Sequence, residues 1–231
     1  MLARLWGGGM ADMVFTDPPW NVAIGTDKNP PHRQRRGLIN DNLGCGFQDF
    51  FKEIAKQINN FIKEDGDIYI VMGIEQISQM HLLLLEQKLH WSATIIWVKD
   101  IFVLGRSNYH RRYEPIWYGW KRNSSFNGDR TKNDVWEIPR PKKSEEHHTM
   151  KPIALIINAI MNSSEINNII LDSFLGSGST LIACEQTDRI CYGMEIDQIY
   201  IDVILRRYHK LYPDNEIKCL NRQFDFESLF A

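Results

Sequence analysis

The sequence predicts an α/β fold with a doubly wound sheet. Short apolar runs that are typical of buried strands alternate along the chain with longer segments whose apolar residues recur at helical spacing. Two of the apolar runs end in turns that suit ligand binding, an Asp-Pro-Pro turn after residue 16 and a glycine turn after residue 172. Such alternation favours a sheet covered by helices on both faces, and these sheets bind ligands at the carboxyl ends of their strands.

Length and composition set limits on this architecture. The 231 residues, 43% of them hydrophobic, can bury one sizeable core, so we expect a single domain over residues 1 to 231. The four cysteines lie far apart and form no Cys-x-x-Cys pair, which argues against structural zinc and favours a reducing cytoplasm. No apolar segment reaches membrane length, so we expect no membrane partner.

The first predicted strand, residues 11 to 16, leads into Asp17-Pro18-Pro19-Trp20. An exocyclic amino group of a nucleobase is a poor nucleophile because its lone pair is delocalised into the ring, so an enzyme must hold it between acceptors. The Asp17 carboxylate and the Pro18 carbonyl are candidate acceptors in a turn stiffened by two prolines. Trp20 offers a flat face for a base that has left its stack. A proline turn before a buried tryptophan would give the same four residues, so the tetrapeptide alone leaves both interpretations open.

A long polar stretch, residues 21 to 46, follows with little periodicity. Long irregular loops in compact domains are usually functional or disordered. We therefore expect a mobile basic loop beside Asp17 in which Arg33, Arg35 and Arg36 contact phosphates. Plain disorder without binding is the alternative.

The next segment contains regular elements of the core. Apolar spacing predicts a helix from Phe47 to Phe61 and another over residues 74 to 89, with strands at residues 66 to 72 and 92 to 98. Trp91 and Trp97 are expected to serve packing rather than function.

Residues 99 to 150 are the least regular part of the chain and are basic. Residues 99 to 151 hold twelve Lys/Arg against seven Asp/Glu, whereas residues 152 to 231 hold six against eleven. Apart from a predicted strand over residues 114 to 120, basic residues and aromatics share loops, which suits contact with a nucleic-acid backbone and stacking on bases. Residues 99 to 150 are our candidate target-recognition region, and its candidate nucleic-acid contacts are Tyr109, His110, Arg111 and Arg112. His147-His148 has no further ligand at metal spacing, so no metal site is expected.

The second ligand-binding turn lies at Asp172 to Thr180, between a predicted strand and a predicted helix. Gly176 and Gly178 let a ligand approach the backbone, and Ser179 or Thr180 is expected to cap the helix. The next predicted strand, residues 190 to 195, ends in Glu195, which is placed to bind the hydroxyls of a ribose. No third glycine follows at residue 181 and no phosphate loop occurs, so a ribose-bearing ligand without phosphates, such as S-adenosylmethionine, fits; a structural glycine turn is the alternative.

Three elements complete the prediction. Lys151-Pro152 opens a helix over residues 153 to 161, and Lys151 with the positive helix start is expected to receive the cofactor's carboxylate. An amphipathic helix over residues 199 to 212 and a last strand over residues 216 to 220 follow.

The two motifs together resemble those of a known family, the β-class DNA amino-methyltransferases, which modify adenine N6 or cytosine N4. The resemblance rests on Asp-Pro-Pro-Trp, the later Phe-x-Gly-x-Gly and a Thr-x-Lys-Pro element at residues 149 to 152, and it covers nearly the whole chain. It implies one methyltransferase domain of the S-adenosylmethionine-dependent, Rossmann-like type, with a mixed sheet permuted so that the catalytic motif precedes the cofactor motif. It implies catalytic roles for Asp17, Pro18, Pro19 and Trp20 and, together with the spacing argument above, cofactor binding by Asp172, Phe174, Gly176, Gly178, Ser179, Thr180, Glu195, Thr149 and Lys151. The family's upstream Gly-Asp element does not occur in residues 1 to 10, so we expect it to be missing or to belong to a longer protein.

The resemblance favours adenine N6 methylation of DNA, because cytosine N4 relatives usually carry serine in place of Asp17. Cytosine N4 methylation, RNA adenine methylation and a binding-only subunit stay open as alternatives. Cytosine C5 chemistry is disfavoured because it needs a cysteine nucleophile, normally in a Pro-Cys pair, and the chain has none. DNA is the expected partner, and a homodimer and a partner restriction endonuclease stay open.

Overall fold

The structure is a computed structural model that describes residues 9–22, 39–103, 108–129, 131–140, 150–218 and 220. Its strands are β1 Ala11–Thr16, β2 Ile62–Val71, β3 His90–Val103, β4 Arg111–Trp120, β5 Val135–Glu137, β6 Ile169–Asp172 and β7 Ile190–Gly193. Its helices are α1 Phe47–Phe61, α2 Ile77–Glu86, α3 Ile153–Ser163, α4 Ser179–Glu185 and α5 Gln198–Leu211, with a short 3-10 turn at Gly44–Gly46.

The strands form one seven-stranded mixed sheet in the order β5-β3-β4-β2-β1-β6-β7. Strands β2, β1, β6 and β7 run parallel, whereas β4 pairs antiparallel with both β2 and β3. The central position of β1 explains its apolar sequence, because a strand with neighbours on both edges and helices on both faces has little exposed surface. The predicted α/β fold with a mixed sheet is confirmed.

Side chains of the sheet alternate between two apolar cores. Val14, Ile68 and Trp117 pack with α1 and α2 on one face, and α1 contributes apolar residues one helical turn apart. Phe15 and Tyr69 point to the opposite face, where α3 and α4 cover them. In the described part of the chain, no helix is long and apolar enough to cross a membrane.

Three sequence predictions were wrong in detail. Residues 216 to 218 form no strand; they lie largely exposed, with an ion pair between Lys218 and Glu216, and bury too little apolar surface to add to the sheet edge. Strand β5 was not predicted, and its residues were assigned to loops. The reason is that three residues show no periodicity and form a strand only by pairing with β3. Residues 99 to 103 and 111 to 112, which were assigned to loops, extend β3 and β4 beyond the predicted strands. Trp91, expected to pack rather than to act in function, is 43% exposed and packs edge to face against His81.

Candidate active site

Both sequence motifs open into one cavity at the carboxyl edge of the parallel strands. Strand β1 pairs with β6 at Val14 opposite Leu171, so the residues that follow each strand emerge side by side. The cavity has a volume of about 480 Å³. From the sequence-predicted sets it is lined by Asp17, Pro18, Pro19, Trp20, Lys151, Asp172, Phe174, Gly176, Ser179, Thr180 and Glu195.

Asp17 has one engaged and one open carboxylate oxygen. Lys151 Nζ donates a hydrogen bond to Asp17 Oδ2, and the side chain of Asp17 is about a quarter exposed, at 26%. Among the described residues, none donates a hydrogen bond to Oδ1. Burial raises the pKa of Asp17 above its ordinary value, although the Lys151 ammonium opposes this shift. Asp17 therefore lines the cavity with one carboxylate oxygen that has no donor among the described residues.

Lys151 belongs to a chain of alternating charges. Its Nζ lies 3.5 Å from Glu114 Oε2, and Glu114 Oε1 accepts a hydrogen bond of 2.5 Å from Lys99 Nζ. Burial alone would lower the pKa of Lys151, but Asp17 and Glu114 together raise it above its ordinary value. Burial would likewise raise the pKa of Glu114, but the two lysines lower it. The four side chains come from the turn after β1, the loop before α3, β4 and β3, so only the folded sheet assembles them.

Asp172 connects the end of the strand before the Asp-Pro-Pro-Trp turn to the glycine turn. It accepts hydrogen bonds from Thr16 Oγ1 at 2.9 Å, from Phe174 N at 3.1 Å and from Thr180 Oγ1 at 2.6 Å. Only 4% of Asp172 is exposed, and burial raises its pKa to about 6 despite these donors. A residue predicted to bind cofactor thus also links the ends of β1 and β6.

The glycine turn is built differently from the predicted one. Gly178, at φ 80°, is itself the N-cap of α4, and no side chain caps this helix. The expected cap by Ser179 or Thr180 was therefore wrong, because the Thr180 hydroxyl bonds to Asp172 and Ser179 Oγ accepts from Arg207. A Cβ added at Gly178 would lie 3.2 Å from Ile204 of α5, so this glycine allows close packing behind the turn, while Gly176 lines the cavity.

Glu195 is held by three backbone amides. Its Oε2 accepts from Gly176 N at 2.8 Å, and its Oε1 accepts from Ile196 N at 2.9 Å and from Asp197 N at 2.8 Å. A carboxylate has about four acceptor sites, so roughly one remains, on Oε2. Glu195 lies just beyond β7, which ends at Gly193 rather than at Glu195 as predicted.

Trp20 is held in place by two later segments of the chain, which contain Asp41 and Gly73. Asp41 Oδ1 accepts from Trp20 N at 3.2 Å and from Val22 N at 3.3 Å, and Asp41 is only 2% exposed. A Cβ at Gly73 would come within 2.8 Å of Trp20 Cβ, so that glycine admits the tryptophan. Lys151 Nζ lies 5.0 Å from the centroid of the Trp20 ring. Residues 39 to 46, expected to belong to a mobile loop, thus include Asp41, a buried support for the Asp-Pro-Pro-Trp turn.

The predicted nucleic-acid contacts lie at the β3–β4 hairpin. Tyr109 is 89% exposed, and the His110 ring stacks on Phe102 with centroids 5.4 Å apart. Arg111 pairs with Glu75 at 2.9 Å, and Arg112 Nε donates to the carbonyl of Lys99 at 2.8 Å. Four other predicted site residues, Arg33, Arg35, Arg36 and Thr149, lie outside the described residues.

Among the polar residues that sequence reasoning missed are Lys99, Glu114 and Asp41, which line the cavity, and Arg207, which supports the glycine turn. Arg207 Nη1 donates to Ser177 O at 3.0 Å and to Ser179 Oγ at 3.1 Å, which supports the glycine turn from α5. A charged residue on the buried stripe of an amphipathic helix was the available signal for Arg207, because lone charges are seldom buried without partners. Lys99 and Glu114 carried the weaker signal of charges inside or beside apolar strands.

Comparisons with known proteins agree with this geometry. Residues 11–206 match the family of DNA methylases of the N6/N4 type. The chain is similar to the type II methyltransferase M2.MboI of Moraxella bovis, with 29% identity over 90% of this chain and 84% of that protein. It is also similar to the DNA adenine methyltransferase YhdJ of Escherichia coli K12, with 28% identity over 85% of this chain and 75% of that protein.

Solved structures show the same fold. The M1.HpyAVI–SAM complex superposes with a TM-score of 0.66 at 21% identity, covering 89% of this chain and 92% of that one. The cytosine-N4-specific PvuII DNA methyltransferase superposes with a TM-score of 0.68 at 15% identity, covering 97% and 86%. Because the family match spans the sheet from β1 into α5 and includes both motifs, the chain belongs to the N6/N4 family of DNA methylases.

Proposed function

We propose that this protein transfers a methyl group from S-adenosylmethionine to the N6 amino group of adenine in DNA. The observation that carries the proposal is that Asp17 lines the same cavity as Gly176 and Glu195, and that its Oδ1 accepts no hydrogen bond from the described residues. One cavity therefore offers an acceptor for an amino group and a carboxylate for a ribose.

The residues of the cavity fit S-adenosylmethionine. A volume of about 480 Å³ lies within the range of roughly 300–1,000 Å³ that is typical of ligand pockets. The remaining acceptor site on Glu195 Oε2 suits one ribose hydroxyl, and Gly176 lets the ligand approach the backbone. Lys151 is already paired with Asp17, so its predicted contact with the cofactor's carboxylate requires the ammonium to serve both groups.

The cofactor, when bound, supplies an electrophilic methyl group on a positively charged sulfur. Asp17 Oδ1 accepts a hydrogen bond from the adenine amino group and orients its lone pair toward that methyl group. After transfer, Asp17 Oδ1 takes the proton that the nitrogen releases, which the raised pKa of Asp17 favours. The Pro18 carbonyl is the second acceptor, and the Trp20 ring holds the extruded base by stacking.

Adenine is favoured over cytosine by Asp17 itself, since the resemblance associates serine at this position with cytosine N4 enzymes. The printed function of YhdJ, a DNA adenine methyltransferase, supports the same choice. The structural similarity to a cytosine-N4-specific enzyme at 15% identity concerns the fold alone and leaves the preference unchanged.

The proposal also covers DNA recognition and biological context. Residues 1 to 231 form one methyltransferase domain, in which the exposed hairpin around Tyr109 belongs to the target-recognition region of residues 99 to 150. Type II methyltransferases among the relatives support a role beside a restriction endonuclease of the same specificity. DNA from cells that express the protein should then resist cleavage by that endonuclease.

The decisive experiment is incubation of the protein with S-adenosylmethionine carrying a labelled methyl group and either unmethylated genomic DNA or total RNA. Nucleoside analysis should find label in N6-methyladenine from DNA. Label in N4-methylcytosine, label confined to RNA, or no label with a correctly folded protein would each contradict the proposal. The Asp17→Ala variant is the control for contaminating activity.

A further inference from the structure

The chain Asp17–Lys151–Glu114–Lys99 extends beyond the residues that the proposed reaction needs. Glu114 and Lys99 belong to neither motif, yet their side chains are only 15% and 8% exposed. Buried ion pairs are costly to desolvate and are weak evidence for stability alone. Two buried charges at the wall of the cavity therefore call for a role in the site.

The contacts of Lys151 are unequal. Its ammonium bonds directly to Asp17 Oδ2 but stands 3.5 Å from Glu114 Oε2. Glu114 Oε2 is buried and accepts no hydrogen bond from the described residues, whereas Oε1 is occupied by Lys99. Glu114 is thus a second carboxylate that attracts the Lys151 ammonium beside Asp17.

The charges also balance as a group. Two carboxylates and two ammoniums sum to zero, so these four side chains together place no net positive charge beside the positive charge that develops on a methylated amino group. Without Glu114 the three remaining side chains would carry a net charge of +1. Of the carboxylates in this group, Lys151 would then have Asp17 alone as its partner. Both effects oppose methyl transfer. The Lys151 ammonium would compete for the Asp17 oxygen that has to accept the amino group, and the net positive charge would repel the positive charge that develops on the nitrogen.

We propose that Glu114 and Lys99 are positioning residues, which hold Lys151 on one oxygen of Asp17 and leave the other oxygen for the target amino group. This inference rests on the proposed function for its catalytic consequence. Its physical content, an electrostatic coupling of both residues to Asp17, holds for the protein without ligands.

The sign of the coupling differs between the two residues. The charged groups that act most strongly on Asp17 are Lys151, Glu114 and Lys99. Asp172 of β6 also couples to it, and Arg140 lines the same cavity. Removal of the Glu114 charge should lower the pKa of Asp17, because the carboxylate raises it. Removal of the Lys99 charge should raise the pKa of Asp17, because the ammonium lowers it.

The test uses Glu114→Gln and Lys99→Met, with Lys99→Arg as the charge-keeping rescue. Carboxyl NMR titration of the ligand-free protein should show the Asp17 resonance titrating at lower pH in Glu114→Gln, at higher pH in Lys99→Met and near the wild-type pH in Lys99→Arg. The single-turnover methylation rate of Glu114→Gln, taken at the pH-independent plateau of its pH profile, should be about 10- to 100-fold lower than that of the wild type. The affinities for S-adenosylmethionine and DNA should stay within about twofold of wild type. The pH at which the methylation rate falls on the acid side of its pH profile should shift in the same direction as the titration of Asp17.

Asp67→Asn is the matched control, because Asp67 is a fully buried carboxylate of β2 that bonds to Tyr118 and Ser124 away from the cavity. It should change stability but neither the titration of Asp17 nor the plateau rate. Asp17 titrating alike in wild type, Glu114→Gln and Lys99→Met overturns the inference, as does an unslowed Glu114→Gln enzyme. A wild-type protein without methylation activity removes the proposed function instead, and the titration then decides the coupling by itself.

Discussion

At the scale of single residues, Asp17 combines two properties that a group acting on an amino nitrogen needs. One oxygen is anchored by Lys151, the other has no donor among the described residues, and the side chain lines the cavity, so the carboxylate is held in place before the substrate arrives. Preorganised groups of this kind lower a barrier because they need no reorganisation at the moment of reaction.

The first prediction concerns this carboxylate. Asp17→Ala should reduce single-turnover methylation on the order of 100-fold or more, by analogy with the loss of an oxyanion-hole donor. Affinities for cofactor and DNA should change little, because the interaction develops during transfer. Methylation rates and equilibrium binding measured on the same preparation check this.

Trp20→Ala is the contrasting variant for the same assay. It should weaken the hold on the extruded base, so a duplex whose target adenine is mismatched, and hence easier to extrude, should restore part of its rate. A mismatch should not restore Asp17→Ala. Near-normal methylation by Asp17→Ala would remove the catalytic assignment.

The second prediction concerns Asp172, whose pKa is raised from 3.8 to about 6 by burial. The folded protein binds this proton more tightly than the unfolded chain does, so the contribution of Asp172 to stability is present below pH 3.8 and is lost as the pH rises through about 6. Relative to Asp172→Asn, the wild type should lose up to about 3 kcal/mol of unfolding free energy across this window, at about 1.4 kcal/mol per pKa unit. Urea unfolding of both proteins from pH 4 to pH 7 measures it, and a constant difference between them would refute the assignment.

At the scale of elements, helix α5 supports the glycine turn that it follows in sequence. Ile204 packs against Gly178 and Arg207 bonds to Ser177 and Ser179, so the shape of the turn depends on a helix some thirty residues away. Its sequence predicts an amphipathic helix, and the structure confirms it at Gln198–Leu211. The partner of its buried face was not predictable, because helical periodicity identifies a face but not what covers it.

The third prediction tests this support. Arg207→Met should weaken the binding of S-adenosylmethionine by about tenfold or more, because hydrogen bonds from a charged donor contribute roughly 1.5–3 kcal/mol each and the turn would lose its brace. Arg206→Met, on the exposed side of the same helix, is the matched control and should bind the cofactor normally. Calorimetric titration with S-adenosylmethionine measures both. Equal affinity in a folded Arg207→Met protein would assign Arg207 to stability alone.

At the scale of the whole molecule, positive charge is concentrated in the middle of the chain, with twelve Lys/Arg against seven Asp/Glu over residues 99 to 151. The net charge of −2 conceals this asymmetry. A polyanion is bound through local clusters of cations rather than through net charge, so an acidic protein can still bind DNA.

The fourth prediction concerns the basic cluster after the catalytic turn. Replacing Arg33, Arg35 and Arg36 together by Gln should weaken binding to all DNA sequences alike and reduce the slope of log affinity against log salt by about 0.9 for each phosphate that the protein no longer neutralises. The matched control replaces three exposed lysines on helices, Lys52, Lys56 and Lys210, and should leave the slope unchanged. Fluorescence anisotropy across a salt series measures it. Equal slopes in the Arg variant and the wild type would show that these arginines do not bind phosphates.

The sequence by itself determined the order of most strands and helices and the identity of both motifs, because periodicity and turn chemistry are local properties. It predicted β1, α1 and α5 closely and placed Asp17 and Gly176 at the ends of strands. Short elements such as β5 escaped it, because three residues show no period.

Only the tertiary structure decided which side chains meet in the cavity. Thr16 bonds to Asp172 across 156 positions and Lys151 bonds to Asp17 across 134, and no local pattern encodes such pairs. The physical reason is that sheet order sets these contacts. Strands β6 and β7 lie on one side of β1, and strands β2, β4 and β3 lie on its other side. Asp172 therefore reaches Thr16 from the first side, whereas Lys99 and Glu114 join Lys151 and Asp17 from the second.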